Sequence, residues 1–187
     1  MGYRLSKLYT RMGDDGKTRL ADGERIPKDA PLIQALGDVD ELNSLLGVVL
    51  AAELPPAVTE VLLAVQNDLF DLGGELAVPH AQRLQMARIT WLETQIDQFN
   101  AQLAPLKEFI LPGGGQTATF CHLARAVCRR AERQLITLSH SRNLSEPLVA
   151  YMNRLSDLLF VCARIIATAQ GHAERMWHSA RTASTSC

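Results

Sequence analysis

The sequence predicts an all-α fold: a five-helix bundle, four core helices plus one, behind an irregular N-terminal segment. Three observations carry this. Hydrophobic residues make up 47% of the 187 and aromatics only 5%, and a core of Leu, Ala, Val and Ile without many rings favours packed helices over a β-sandwich. Apolar residues return every three or four positions through five stretches, as in Val61, Val65, Leu69 and Leu72, which is the helical period. The joints between stretches are short and carry proline, which cannot continue a helix.

Taken in order, residues 1 to about 30 hold no lasting period and are rich in Gly, Asp, Lys and Arg, ending in the turn from Pro27 to Pro31. The expected helices are Leu32–Glu53, stopped by Pro55-Pro56; Ala57–Ala77, before Pro79; a third from near Thr90, where Thr90 and Glu93 have capping-box spacing, to before Pro105; Thr117–His140; and Pro147–His172. One domain is expected over 1–187, divided into a loop segment (1–30), a helical body (31–175) and a small, polar, flexible tail (176–187).

Formal net charge is −1, so no global field draws the chain to nucleic acid, and any anion site must be a local cluster. Cysteines stand at 121, 128, 162 and 187 without a C-x-x-C pair. Three lie in apolar helical stretches and read as small core residues of a reducing compartment. The five histidines do not supply zinc-ligand spacing. The N-terminus has no signal-peptide pattern and no apolar run is long enough for a bilayer, so a cytoplasmic protein without membrane contact is expected.

Chemistry concentrates in the fourth helix and its approach. Phe120, Ala124, Val127, Ala131, Leu135 and Leu138 form an apolar stripe, while Arg125, Arg129, Glu132 and Arg133 form another, with Arg130 pointing elsewhere. Stacked guanidinium groups repel unless something negative is near, and their donor fork suits phosphate or carboxylate oxygens. Either a solvated, salt-bridged face or an anion-binding wall fits this pattern. Ahead of the helix, Gly113-Gly114-Gly115 follows Phe109-Ile110-Leu111-Pro112. Three glycines at a helix start either merely permit the positive φ of a tight turn or let backbone approach an anion or another chain closely, although the P-loop pattern is absent. Acidic partners are available from Asp38, Asp40 and Glu41 on the first helix, and Asn153 and Asp157 stand one turn apart on the fifth. The stretch Gly13-Asp14-Asp15-Gly16-Lys17-Thr18 reads either as a phosphate nest or as a hairpin turn.

Together these segments resemble a known family. Thr10 to Asp14, Lys28, Gly37 to Asn43, Phe109 to Gly114, Arg125 to Arg133 and Asn153 to Asp157 resemble, in order and spacing, the PduO-type ATP:cob(I)alamin adenosyltransferases, a cobalamin adenosyltransferase-like variant of the ferritin-like bundle. The resemblance runs from about residue 8 to 170. It implies a homotrimer with ATP and cobalamin between subunits, and transfer of the 5′-deoxyadenosyl group of ATP to cob(I)alamin with release of triphosphate. By position it implies that Thr10, Arg11, Met12, Gly13, Thr18, Arg19 and Lys28 wrap the triphosphate. Arg125, Arg129, Arg130, Glu132, Arg133 and Asn153 complete the ATP site, Asp40 pairs with Arg129, and Phe109 presses on the lower face of the corrin. Mg²⁺ with ATP, a reductase supplying cob(I)alamin, and an adenosylcobalamin-dependent enzyme downstream are further implied partners. The chain departs from the family in having Asp15 where Lys is common and Asp38 where Glu is. A delivery protein that holds finished adenosylcobalamin, and a non-catalytic interaction bundle, are the alternative readings.

Overall fold

The computed structural model describes residues 9, 11–20, 22–78 and 81–178. Five helices form the body: α1 (Pro31–Leu50), α2 (Pro56–Ala77), α3 (Met86–Asn100), α4 (Gln116–Ser139) and α5 (Glu146–Ala169). Pro31, Pro56 and Pro147 stand in the first turns of α1, α2 and α5, where a missing N–H leaves no intrahelical acceptor unfilled. Glu146 adds a negative charge at the positive end of α5.

The third helix corrects one expectation. It begins at Met86 after an extended Gln85, with no side-chain cap. Thr90 therefore lies inside the helix, its carbonyl accepting the Thr94 hydroxyl at 2.9 Å, and Thr90 and Glu93 form no capping box. Burial of Ile89 and Leu92 sets the helix start, in keeping with tertiary packing outweighing local signals.

Helices α4 and α5 pair at the centre, α1 lies on α4, α3 lies on α5, and α2 lies on α1. Leu42, Leu46, Leu62, Leu69, Leu72, Leu135, Leu155 and Leu158 are fully buried between them. Two polar ties cross this core. Asn43 Nδ2 donates to the Gln66 carbonyl at 3.2 Å and Gln66 Nε2 returns a bond to the Asn43 carbonyl at 3.1 Å, fixing α1 against α2. Asp68 of α2 accepts both Arg88 of α3 (2.7 Å) and the Tyr151 hydroxyl of α5 (2.8 Å), and Arg88 stacks on Trp91 at 3.9 Å. Cys121, Cys128 and Cys162 are buried and free, as expected. The Cys121 and Cys128 thiols donate to the Leu159 and Met152 carbonyls, each at 3.3 Å. Burial pushes the Cys121 thiol up to about 12 and those of Cys128 and Cys162 well up too.

The N-terminal segment is more regular than its sequence implies. Strands β1 (Lys17–Arg19) and β2 (Arg25–Pro27) pair antiparallel with Thr18 opposite Ile26. Three-residue strands are too short to show an alternating pattern. Leu20 is buried and Ile26 packs on the core, so the hairpin is seated on the bundle.

At the other end, α5 closes with a Schellman turn: Gly171 N donates to the Thr168 carbonyl (3.1 Å) and His172 N to the Ala167 carbonyl (2.9 Å). The chain then doubles back. Leu111 N donates to the Arg175 carbonyl (2.8 Å), Trp177 N donates to the Phe109 carbonyl (2.7 Å), and Ile110 bridges Met176. Met176 and Trp177, at the start of the segment expected as a flexible tail, are paired backbone; 179–187 lie outside the described residues.

Candidate functional site

Two groups of side chains stand out. The first is a basic cleft of about 310 Å³ lined by Met12, Gly13, Lys17, Thr18, Arg19, Arg25 and Lys28. The hairpin supplies its wall, and the turn through Gly13 and Gly16 supplies its lip, with Gly16 N donating to the Gly13 carbonyl at 3.3 Å. A Cβ built on Gly13 would stand 3.2 Å from the Lys28 Nζ and 3.1 Å from the Lys17 carbonyl, so the missing side chain is what lets the Lys28 ammonium lie over the backbone. Asp15 takes the Arg25 guanidinium at 2.8 and 3.0 Å, and the same Arg25 nitrogen donates to the Met12 carbonyl at 2.9 Å. The Lys17 amide first, and Arg25 with it, hold the Asp15 carboxyl below its usual range. Asp15 is thus a brace within the turn, and Arg25 is the cation it brings to the cleft. Arg11 takes a left-handed φ of 60°, uncommon for a non-glycine residue, and stacks over Tyr9 at 5.7 Å. Thr10 lies outside the described residues.

The second group is the polar face of α4. Arg125, Arg129 and Arg133 form no ion pair among the described residues; Arg133 donates only to the Arg129 carbonyl, at 2.9 Å. Arg125 has a buried Nε with no partner. The carboxylates of α1 go instead to Arg130, which meets Asp38 at 3.1 Å and also Glu41. The three arginines of the stripe are thus left without an ion-pair partner among the described residues, which disfavours the salt-bridged-face reading. Asp40 and Arg129 are both exposed and form no ion pair with each other within one chain. Asp40 stands about 100° and 200° around α1 from Glu41 and Asp38, the residues that meet α4. Glu132 accepts Asn153 Nδ2 at 3.0 Å, and Asn153 Oδ1 accepts Arg154 at 2.7 Å, so α4 and α5 present these groups as one set.

Away from the charged groups, the loop before α4 carries Phe109, which is 77% exposed and meets Trp177 edge-on at 6.5 Å between centroids. Leu111, Met176 and Trp177 are exposed beside it in the paired segments, an apolar shelf unusual on a free surface. The glycines after it serve packing. Gly115 has φ of 87°, and a Cβ there would stand 2.3 Å from the His172 ring; one on Gly114 would meet Ala167 Cβ at 2.6 Å. They let another chain segment approach, the second of the two uses open to them.

A family profile described as cobalamin adenosyltransferase matches residues 8–166. The chain belongs to the cobalamin adenosyltransferase family. A cobalamin adenosyltransferase of Cupriavidus metallidurans is 48% identical over 182 residues, 97% of this chain and 99% of that one. A corrinoid adenosyltransferase of Bacillus subtilis is 42% identical, covering 88% and 89%. A solved phenylalanine-to-alanine variant of a PduO-type ATP:corrinoid adenosyltransferase from Lactobacillus reuteri, complexed with cobalamin and ATP, superposes with a TM-score of 0.88 at 33% identity, over 92% of this chain and all of that one.

In this cobalamin adenosyltransferase fold, Met12, Gly13, Thr18, Arg19 and Lys28 share one cleft, and Glu132 and Asn153 share one bond. Sequence reasoning missed Arg25 and Trp177. Arg25 carries no motif and is recognisable only from the strand register that sets it across from Arg19. Trp177 follows the last helix in a short non-helical run, where an isolated bridge leaves no periodic signal. Among the described residues no group of three or more His, Cys, Asp or Glu side chains is placed to hold a metal, and no helix is long and apolar enough to cross a membrane.

Proposed function

We propose that this chain transfers the 5′-deoxyadenosyl group of ATP to cob(I)alamin, forming adenosylcobalamin and triphosphate. The observation that carries the reading is the 48% identity to a cobalamin adenosyltransferase over nearly the full length of both chains. In the reaction, the cobalt(I) electron pair attacks the ribose C5′, a C5′–cobalt bond forms, and the C5′–O bond breaks with its electrons leaving on triphosphate. Cobalt(I) needs no base to activate it, so the protein's tasks are alignment and stabilisation of the leaving charge. The basic cleft from Met12 to Lys28, with Arg11 next to it in the chain, and the unpaired Arg125, Arg129 and Arg133 suit the triphosphate; Thr10 is assigned to the same task by the family's motif. Arg130, committed to Asp38 and Glu41, is assigned to hold α1 against α4 beside the nucleotide. Mg²⁺ would ride on phosphate oxygens and water rather than in a protein cage.

The exposed shelf of Phe109 and Trp177 suits the flat corrin. An aromatic group in the place of cobalt's lower ligand favours the four-coordinate cobalt(II) form and so eases its reduction to cobalt(I), supplied by a reductase. The site is assigned to the junction of subunits in a homotrimer, supported by Asp40 and Arg129 being exposed and unpaired within one chain. A cytoplasmic location, supported by the three buried free thiols, completes the reading. An anaerobic assay with ATP, Mg²⁺ and cob(I)alamin should give the alkyl-cobalamin spectrum with repeated turnover; no product, or product only in stoichiometric amount, overturns it. Phe109→Ala should keep ATP binding and lose the four-coordinate cobalt(II) absorption, and an unchanged spectrum removes Phe109 from the corrin contact.

A further inference from the structure

Phe109 is held in place by something other than its own side chain. It is largely exposed, and its ring neighbour among the described residues, Trp177, lies on a segment outside the helices. Both residues depend on how residues 172–178 are fixed. The Trp177 amide bonds the Phe109 carbonyl and the Leu111 amide bonds the Arg175 carbonyl. Between the Schellman turn and these bonds stands Glu174. Its carboxylate receives Arg164 of α5 in bidentate fashion, Nε to Oε1 at 2.6 Å and Nη2 to Oε2 at 3.2 Å. Arg164 is only 3% exposed, and its Nη2 also donates to the Ala104 carbonyl at 2.9 Å, where the loop carrying Phe109 begins.

We propose that Arg164 and Glu174 form a positioning clasp that sets the Phe109–Trp177 shelf for the corrin. One buried guanidinium grips the loop near its start and the returning segment near its middle, and the backbone pairing between the two then fixes the height and angle of both rings. The arrangement is costly unless it is used. A guanidinium out of water needs its carboxylate close and further acceptors for its other donors, and here the carboxylate and the Ala104 carbonyl come from the two segments that bear the shelf. A neutral apolar contact would tie the segments together as firmly but would not fix their register, whereas a bidentate fork accepts a single geometry. This assignment rests on the proposed corrin contact of Phe109, so its test separates the two.

Glu174→Gln keeps the shape and removes the charge; Arg164→Lys keeps the charge and removes the fork. Both are made in a Trp91→Phe background, which leaves Trp177 as the single tryptophan, and far-ultraviolet circular dichroism verifies that the helices persist. The clasp predicts that acrylamide quenching of Trp177 rises severalfold in both variants. It further predicts that ATP KM is unmoved while cobalamin turnover and the four-coordinate cobalt(II) signal fall roughly 10- to 100-fold, the range for an ångström-scale misplacement. Unchanged quenching in both folded variants overturns the clasp. Raised quenching with undiminished cobalamin turnover, in a protein whose Phe109→Ala variant does lose the signal, overturns its positioning role. If Phe109→Ala itself changes nothing, the corrin reading fails, and the Trp177 quenching still decides whether the clasp exists.

Discussion

Arg129 shows how a single residue's surroundings decide its use. It is exposed and makes no ion pair among the described residues, so Arg129→Ala should change stability by no more than the usual range for surface substitutions, about 0.5 kcal/mol. ATP affinity should fall about tenfold to a hundredfold, since a bond to a charged group contributes about 1.5–3 kcal/mol. Calorimetric titration with ATP and a thermal melt on the same sample check both halves. A large melting loss with full ATP affinity would return the stripe to a structural role. His122 behaves oppositely. It is buried with Nδ1 unpartnered; desolvation first, then Arg125, lower its pKa, while Glu174 works to raise it. The unfolded chain therefore binds a proton more readily than the folded one. Stability from the neutral ring is complete above the ordinary histidine value near 6.5 and is lost as pH falls through that value towards the folded one. Denaturant melts of the protein and of His122→Asn between pH 5 and 8 should show a slope in the former that is reduced in the latter.

Among the elements, the tie of α2, α3 and α5 through Asp68 is the most exposed to damage. Asp68→Ala strands Arg88 and leaves the buried Tyr151 hydroxyl without its acceptor, so a loss of about 3 kcal/mol is expected, the lower end for a broken buried pair because Arg88 reaches solvent. Urea unfolding measures it; Tyr151→Phe should lose less, since only one neutral donor goes. The helices were readable because their stripes run for many turns: the start of α1 and the end of α2 follow from Pro31 and Pro79. The start of α3 was not, because Thr90 and Glu93 imitate a cap by spacing alone. Neither strand of the hairpin was readable from three residues apiece. Strand pairing over so short a length is decided by what Leu20 and Ile26 bury, which is a tertiary fact.

At the scale of the whole molecule, the motif residues were legible while their partners were not. From spacing alone Asp38, Asp40 and Glu41 are equal candidates for the α4 arginines, and the family resemblance pairs Asp40 with Arg129; within one chain Asp38 and Glu41 meet Arg130. A pair that forms across a subunit boundary is set by assembly, which the spacing of residues in one chain does not encode. If the nucleotide lies between subunits, two damaged chains can repair each other. Lys28→Ala and Arg129→Ala subunits, each of low activity alone, should recover activity when unfolded and refolded together, with about one quarter of interfaces pairing an intact cleft with an intact stripe in a random cyclic assembly. No recovery would place both groups of one site on the same chain.

The three buried cysteines carry a consequence for reaction fidelity. Cobalt(I) and the ribose C5′ are a potent nucleophile and its electrophile, and a thiolate nearby would compete with one and consume the other. Here every described thiol is protonated at neutral pH, bonded to a backbone carbonyl or sealed among aliphatic side chains, and turned towards the interior. The bundle thereby keeps rival sulfur chemistry out of reach of the alkylation it is proposed to perform.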